Sequence, residues 1–245
     1  LPSEFAIQYV VGRNAFEYTD SLGLEVYVRS RKKNGEWSVL RDFRITAEQV
    51  AALPDVSDVE ILSSLLGATN MYSTIGEAFG SGGHRRLATP LAQRLVPMMA
   101  RAGRLMAKMG ALPSERLPIE WDDGPPWQLW LELRQDEYDQ WMIKGSLRRE
   151  GERLDVAESP VMAGAGFLFA NGKVARLEQP EVLPWIDRLR EFKWIPFPDR
   201  ERDQVMGRLL ASPMLPHLET DEALRFEQRQ GSPRIGLRIA QRREM

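Results

Sequence analysis

Three acidic residues near the middle of the chain could do chemistry. Glu120, Asp122 and Asp123 lie together just before Gly124. Carboxylates at this spacing could hold a divalent metal ion or act as an acid and a base. However, Asp-Asp-Gly before two prolines is also typical of a turn, and no further ligand lies nearby in the sequence. We therefore favour a turn and predict no metal site, while a metal-dependent enzyme using these three carboxylates stays an alternative hypothesis.

A glycine-rich run followed by two arginines could bind phosphate. Residues 80–83 read Gly-Ser-Gly-Gly, and Arg85 and Arg86 follow shortly after them. Successive backbone N–H groups and guanidinium groups could grip a phosphate together. Arg85, however, occupies the position at which a dinucleotide-binding fingerprint requires its third glycine. We therefore favour a solvated loop over residues 67–83, with Arg85 and Arg86 as candidate contacts to nucleic acid.

Other catalytic signatures are missing from the sequence. Five residues instead of four separate Gly166 from Gly172, and Val174 stands where a P-loop needs the hydroxyl that holds magnesium. There is no cysteine, the two histidines are far apart, and no Gly-x-Ser-x-Gly nucleophile motif occurs. We therefore predict a chain that has no catalytic residues and binds no cofactor.

Positive charge is concentrated in a few places. Residues 225–245 contain six arginines against two glutamates, although the whole chain carries a net charge of −2. Any contact with nucleic-acid phosphates would therefore come from a local patch and would not read sequence. The candidate contacts are Arg85, Arg86, Lys144, Arg148, Arg149, Arg234 and Arg238. Contact with nucleic-acid phosphates is also possible for the basic residues of the first hairpin, Arg29, Arg31, Lys32 and Lys33. Basic side chains are, however, common on the solvent-facing side of any strand.

The tryptophans divide into two groups. Trp37, Trp127, Trp141 and Trp185 lie on apolar stripes and are predicted to be in the core. Trp130 instead lies on the same side of its strand as the polar residues Gln128 and Glu132, so it points away from the core. Either it is exposed and available to a partner, or it packs against a second layer, which we favour.

The elements that must position these residues follow from periodicity. Apolar residues alternate over residues 5–11 and 24–28, and Asn34-Gly35 predicts a hairpin turn before residues 37–45 return. Capping boxes that begin at Thr46 and Ser57 predict two helix starts.

The rest of the chain continues with a helical stretch and then strands. A helix is predicted from residues 89–90 to Gly110, with a kink or break at Pro97. Later strands are predicted at residues 127–133, 141–147, 224–228 and 235–240, and a second hairpin at residues 167–170 and 173–177 with its turn at Asn171-Gly172. Helices are predicted at residues 181–192 and 199–210. The sequence therefore predicts an α+β fold of antiparallel sheets with helices packed alongside. Two subdomains are expected, a strand-hairpin and helical part over residues 1–110 and a β-rich part with two helices over residues 111–245.

Composition limits the class of protein. A 245-residue chain that is 43% hydrophobic can form a sizeable core. No apolar run approaches the ~20 residues of a membrane span, and the absence of cysteine fits a reducing compartment, so we predict a cytoplasmic protein without a membrane partner. The chain begins at Leu1 instead of methionine and ends in no natural stop motif, from which we expect a segment of a longer polypeptide.

Several stretches of the chain resemble one known family. Gly124-Pro125-Pro126-Trp127 and the run from Trp141 to Glu152 resemble the region that precedes the ATPase core of bacterial Swi/Snf-type helicases. Residues 35–37, 61–66, 174–177 and 209–216 are similar to that region as well. The likeness covers most of the chain, and none of its motifs is a catalytic signature.

The resemblance implies a non-catalytic accessory region of a larger ATP-dependent DNA translocase. Such parent proteins move along duplex DNA and carry their ATP site and magnesium ligands in two RecA-like lobes further downstream. ATP and magnesium are thus expected only there, and the implied partners are those downstream ATPase lobes and duplex DNA. A protein–protein scaffold without nucleic-acid binding is the other alternative, which the near-neutral net charge favours.

Overall fold

The computed structural model describes residues 4–13, 21–43, 45–67, 85–109, 116–138, 140–211 and 216–220. Within these residues the chain forms three sheets with helices packed against them, and most strand pairs are antiparallel. The predicted α+β class is therefore confirmed. The strands predicted at residues 224–228 and 235–240 lie outside the described residues. Nearly all of the loop predicted over residues 67–83 lies outside them as well. No helix in the described ranges is both long enough and apolar enough to cross a membrane.

The first sheet is built around a long antiparallel pair. Its strands are β1 (Phe5–Arg13), β2 (Ser21–Ser30), β3 (Arg41–Asp42), β4 (Arg85–Ala88), β5 (Leu105–Lys108) and β6 (Arg116–Pro118). β1 pairs with β2 along its full length and with β5 in parallel, while β3 and β4 share the other edge of β2. The helices of this part are α1 (Ala47–Ala51), α2 (Val56–Gly67) and α3 (Thr89–Arg101).

The predicted hairpin turn forms, but the returning strand is short. Gly35 has a φ of 85°, and Arg31 pairs with Trp37 across the turn. Beyond this turn only the two residues of β3 pair with β2, whose main partner is β1. The side chain of Trp37 is 40% exposed, so its predicted place in the core is wrong. The physical reason is that Trp37 lies in the turn region, beyond the end of the paired strands.

The two predicted helix starts differ in outcome. Thr46 and Gln49 form the predicted capping box, with hydrogen bonds of 3.3 and 3.0 Å between side chains and backbone. The second capping box, predicted to begin at Ser57, is wrong. Helix α2 begins one residue earlier, and the carboxylate of Asp55 accepts the backbone N–H of Ser57 at 2.8 Å.

Helix α3 runs through Pro97 and ends before the predicted boundary. Pro97 is buried inside the continuous helix, where packing of its apolar neighbours outweighs the missing backbone donor. The helix ends at Arg101 because Gly103 takes a φ of 66°. The predicted helix to Gly110 is therefore wrong, since Leu105 and the residues after it form a strand with alternating burial.

The second and third sheets make up the rest of the described chain. The second sheet contains β8 (Gln128–Gln135), β9 (Trp141–Arg149), β10 (Glu152–Asp155), β14 (Ile195–Phe197) and β15 (His217–Thr220). The third sheet contains β7 (Glu120–Trp121), β11 (Met162–Gly164), β12 (Phe167–Ala170) and β13 (Lys173–Arg176). The helices of this part are α4 (Leu183–Phe192) and α5 (Arg202–Ala211).

The third sheet lies between two hydrophobic cores. Because side chains alternate along a strand, Phe167 and Phe169 enter the first core, while Leu168 enters the second. Residues from the second half of the chain thus complete the core of the first half. The predicted boundary between residues 110 and 111 lies outside the described residues, and the division into residues 1–110 and 111–245 stays a prediction.

Candidate binding surfaces

The three acidic residues of the middle segment do not converge. Asp122 forms a 2.7 Å ion pair with Arg149, and Asp123 forms one of 2.6 Å with Arg101. Glu120 is exposed. The hydrogen bond from Arg149 lowers the pKa of Asp122 below its ordinary value. Among the described residues, no three acidic or histidine side chains are grouped as metal ligands would be. The aspartates therefore hold two different arginines in place.

The exposed side of the second sheet carries two of the predicted basic contacts, Lys144 and Arg148. We call this surface the outer face, and it consists of Gln128, Trp130, Glu132, Arg134, Lys144, Ser146, Arg148, Arg153, His217 and Glu219. The opposite side of β8 is apolar and lies in the second core, as the alternation of residues 127–133 predicts. Period-two alternation thus brings residues from four strands onto one surface.

A buried carboxylate lies at the centre of the outer face. The side chain of Glu132 is only 5% exposed, and its oxygens lie 2.6 Å from Arg148, 2.5 Å from Arg153 and 3.1 Å from Arg134. Ser146 donates a further hydrogen bond of 3.0 Å to it. Burial alone would raise the pKa of Glu132, but these hydrogen bonds and positive charges outweigh it and lower the pKa. One carboxylate thus holds three arginines, and only Arg148 has a second acidic partner, Glu219.

Trp130 is packed between two partners on the outer face. The guanidinium of Arg148 lies 4.8 Å from the centre of one indole ring, and the imidazole of His217 stacks at 4.8 Å with an interplanar angle of 17°. Trp130 is thus half-buried by side chains from two strands of its own sheet, and its predicted packing against a second layer stays a prediction.

The predicted nucleic-acid contacts fall into separate groups. Arg148 binds both Glu132 and Glu219, and Arg149 binds both Asp122 and Glu152. Lys144 is exposed and has no ion pair with any described residue. Arg85 and Arg86 lie on β4 in the first sheet, away from the outer face. Arg234 and Arg238 lie outside the described residues.

The turn between β2 and β3 is the most basic exposed segment among the described residues. We call residues 29–41 the basic turn; it contains Arg29, Arg31, Lys32, Lys33 and Arg41 against Glu36 alone. Arg29 lies 4.7 Å from the ring centre of Trp37. Lys33 and Arg41 are exposed and form no ion pair with a described residue. The sequence identifies four of these cations, but it does not predict the contact of Arg29 with Trp37.

A groove beside Trp130 was not predicted from the sequence. It has a volume of about 390 Å³, and its lining includes Pro125, Pro126, Trp130, Arg149 and Glu150. The Nε1 atom of Trp130 and the Nη1 atom of Arg149 are buried and have no hydrogen-bond acceptor among the described residues. The sequence signal for this groove is the pair of prolines beside an outward-facing tryptophan.

No family model, curated protein or solved structure matches the chain in the comparisons with known proteins. The resemblance to the region before the ATPase core of Swi/Snf-type helicases therefore stays a prediction.

Proposed function

We propose that the chain is a non-catalytic accessory module of a larger DNA-acting ATPase, and that it contacts the phosphate backbone of duplex DNA through the basic turn. The observation that carries this proposal is the local excess of four positive charges over residues 29–41 in a chain whose net charge is −2. The resemblance to bacterial Swi/Snf-type helicases supports the proposal that the larger protein is an ATPase of this type. On this proposal ATP and magnesium belong to downstream ATPase lobes, which are also partners of the module.

The geometry of the basic turn suits contacts that do not read sequence. Lys32 and Lys33 lie at the tip, and Lys32 has only a 3.8 Å ion pair with exposed Glu36 to give up. Lysine and arginine side chains on such a turn bind backbone phosphates electrostatically, and this binding releases counterions from the DNA. Because the basic turn is irregular and is not a helix that could enter the major groove, we expect it to show no preference among base sequences.

The test is duplex binding measured by fluorescence anisotropy over a series of salt concentrations. Lys32→Ala combined with Lys33→Ala should weaken binding several-fold and lower the slope of log affinity against log salt by about 2. The matched control is Lys193→Asn with Arg208→Ala, which removes two exposed positive charges elsewhere; asparagine suits the φ of 60° at Lys193. Equal loss in both variants, or no binding by the unaltered chain at low salt, would contradict the proposal.

A protein–protein scaffold is the second candidate function, and the outer face favours it. Arg148, the central arginine of this surface, is neutralised by Glu132 and Glu219. The outer face still carries Arg134, Lys144 and Arg153, but its centre is fixed by the ion pairs of Glu132 and by the stacked rings of Trp130 and His217, so it suits a partner that recognises shape and hydrogen bonds. In either role we propose a cytoplasmic location, which the lack of cysteine supports.

A further inference from the structure

We infer that the basic turn stacks one unpaired base of a single-stranded DNA segment on the indole ring of Trp37. The inference rests on the proposed contact between the basic turn and DNA phosphates, and it adds an unpaired base to the ligand. Within this turn two apolar side chains lie in solvent, since Trp37 is 40% exposed and Val39 is 76% exposed. An exposed aromatic ring among cations is the arrangement by which many proteins bind single-stranded nucleic acid.

Two arginines of the turn project to the same side of the chain as Trp37. Arg31 pairs with Trp37 in an antiparallel bridge, and the directly opposite residues of such a pair project to one side. Arg29 lies two residues before Arg31 and projects to that side as well, with its guanidinium 4.7 Å from the ring centre of Trp37. A nucleotide whose base lies on this ring thus has its phosphates close to arginines.

The ring of Trp37 is accessible and held in place. Arg29 lies against one face of the indole, so the exposed area belongs to the rest of the ring. The same cation–π contact holds the ring in one orientation, and a base does not have to order it on binding. Trp130, by comparison, lies half-buried between Arg148 and His217. Trp37 is therefore the better stacking surface of the two.

The ion pairs within the basic turn are weak enough for phosphates to replace them. Lys32 pairs with Glu36 at 3.8 Å, and Arg31 pairs with Glu4 at 3.4 Å. All four side chains are more than half exposed, and ion pairs between exposed side chains contribute little to stability. The cations around Trp37 thus remain available to a DNA strand.

An intact duplex cannot use the ring in the same way. Its bases are paired and stacked on one another, so a side chain reaches only their edges in the grooves unless a base step is opened at a cost in free energy. A single strand offers the faces of its bases, and stacking on them needs no particular sequence. We therefore expect Trp37 to contribute to the binding of single-stranded DNA and to have little effect on duplex binding.

The first experiment compares two ligands on the unaltered 245-residue chain. An oligothymidine of about 12 nucleotides should quench part of the tryptophan fluorescence, because a base stacked on an indole quenches its emission. An abasic deoxyribose-phosphate oligomer of equal length has the same phosphates without bases, and it should bind at least about fivefold more weakly and cause no quenching. Equal binding by the two oligomers would overturn the inference. It is also overturned if phosphatidylserine vesicles shift the tryptophan emission and oligothymidine does not quench it, since the turn would then contact a membrane surface.

Trp37→Leu tests the ring directly, and Trp194→Leu is its matched control. Trp194 is 45% exposed and lies outside the basic turn. Trp37→Leu should weaken oligothymidine binding about 5- to 100-fold and abolish the quenching, but should change duplex affinity by less than about twofold. Trp194→Leu should leave both affinities and the quenching intact. Because the comparison of the two oligomers needs no variant, it decides the matter if Trp37→Leu does not fold.

The outcomes separate the stacking of a base from the proposed contact with phosphates. If Lys32→Ala with Lys33→Ala weakens binding of both forms of DNA while Trp37→Leu binds oligothymidine like the unaltered chain, the phosphate contact stands and the stacking is refuted. If Trp37→Leu loses duplex and oligothymidine binding equally, the ring does not select an unpaired base, and the inference is overturned. If neither form of DNA binds at low salt, both the proposed function and the inference are refuted.

Discussion

Tyr9 in β1 donates its phenolic hydroxyl to Asp58 in α2 at 3.0 Å, and both side chains are buried. Asp58 also pairs with Arg104, which comes just before β5, so one carboxylate joins a helix to two neighbouring strands. Burial raises the pKa of both Tyr9 and Asp58, and hydrogen bonding with Asp58 raises that of Tyr9 further. The polar cluster is therefore a fixed part of the first core.

We expect the two partners of this hydrogen bond to differ in their effect on stability. Tyr9→Phe removes one donor and leaves Asp58 paired with Arg104, so it should lower the free energy of unfolding by about 1–2 kcal/mol. Asp58→Ala removes the carboxylate that both partners use and should cost about 3–5 kcal/mol. Urea unfolding followed by fluorescence measures both. A larger loss in Tyr9→Phe than in Asp58→Ala would contradict this account of the cluster.

The ion pair between Asp122 and Arg149 should make stability depend on pH. The folded-state pKa of Asp122 lies below the ~3.9 of an unfolded aspartate, so the folded chain binds fewer protons there. The stabilisation is therefore complete above pH ~4 and is lost as the pH falls further, through the lowered folded pKa. Asp122→Asn should be less stable than the unaltered chain at pH 7, and the difference should shrink in this acidic range. Denaturant titrations at several pH values measure it, and a difference that stays constant would refute the ion pair.

Arg148 and Lys144 lie on the same outer face but should behave differently. Arg148→Ala removes a partner of the buried Glu132 and the cation over Trp130, and should cost about 1–3 kcal/mol. Lys144→Ala removes an exposed side chain without an ion pair to a described residue, and should stay within about 0.5 kcal/mol of the unaltered chain. Thermal and urea unfolding of both variants give the comparison. Equal stability would mean that Arg148 is free at the surface.

Local signals in the sequence predicted well those structural elements that depend only on residues close together in the chain. The capping box at Thr46, the turn at Gly35 and the alternation along β8 all depend on residues a few positions apart. The helix predicted beyond Arg101 failed because pairing with β1, nearly a hundred residues away, makes a strand of residues 105–108. Local periodicity carries no information on such a distant partner.

The candidate site was harder to predict for the same reason. Clusters of arginine in the sequence indicated free positive charge, but one carboxylate partner each of Arg148 and Arg149 comes from a distant part of the chain. Glu132 and Asp122 reach them only after the sheets have formed. In contrast, the basic turn is local, and most of its cations were identified from the sequence.

Gly145 in β9 lies directly beneath helix α4, and this contact gives a last prediction. A Cβ atom at Gly145 would lie 2.4 Å from the Cδ1 atom of Leu189, which is fully buried and cannot easily move away. Gly145→Ala should therefore destabilise the chain by about 1–3 kcal/mol through overpacking.

The matched control is Gly207→Ala in α5, where nothing lies within 4 Å of the added methyl group. Because alanine is the better helix former, this variant should gain about 0.5–1 kcal/mol. Urea unfolding of the two variants beside the unaltered chain decides the matter. If Gly145→Ala matches or exceeds the stability of Gly207→Ala, α4 does not pack on β9 as closely as the structure has it, and the second core is looser than described.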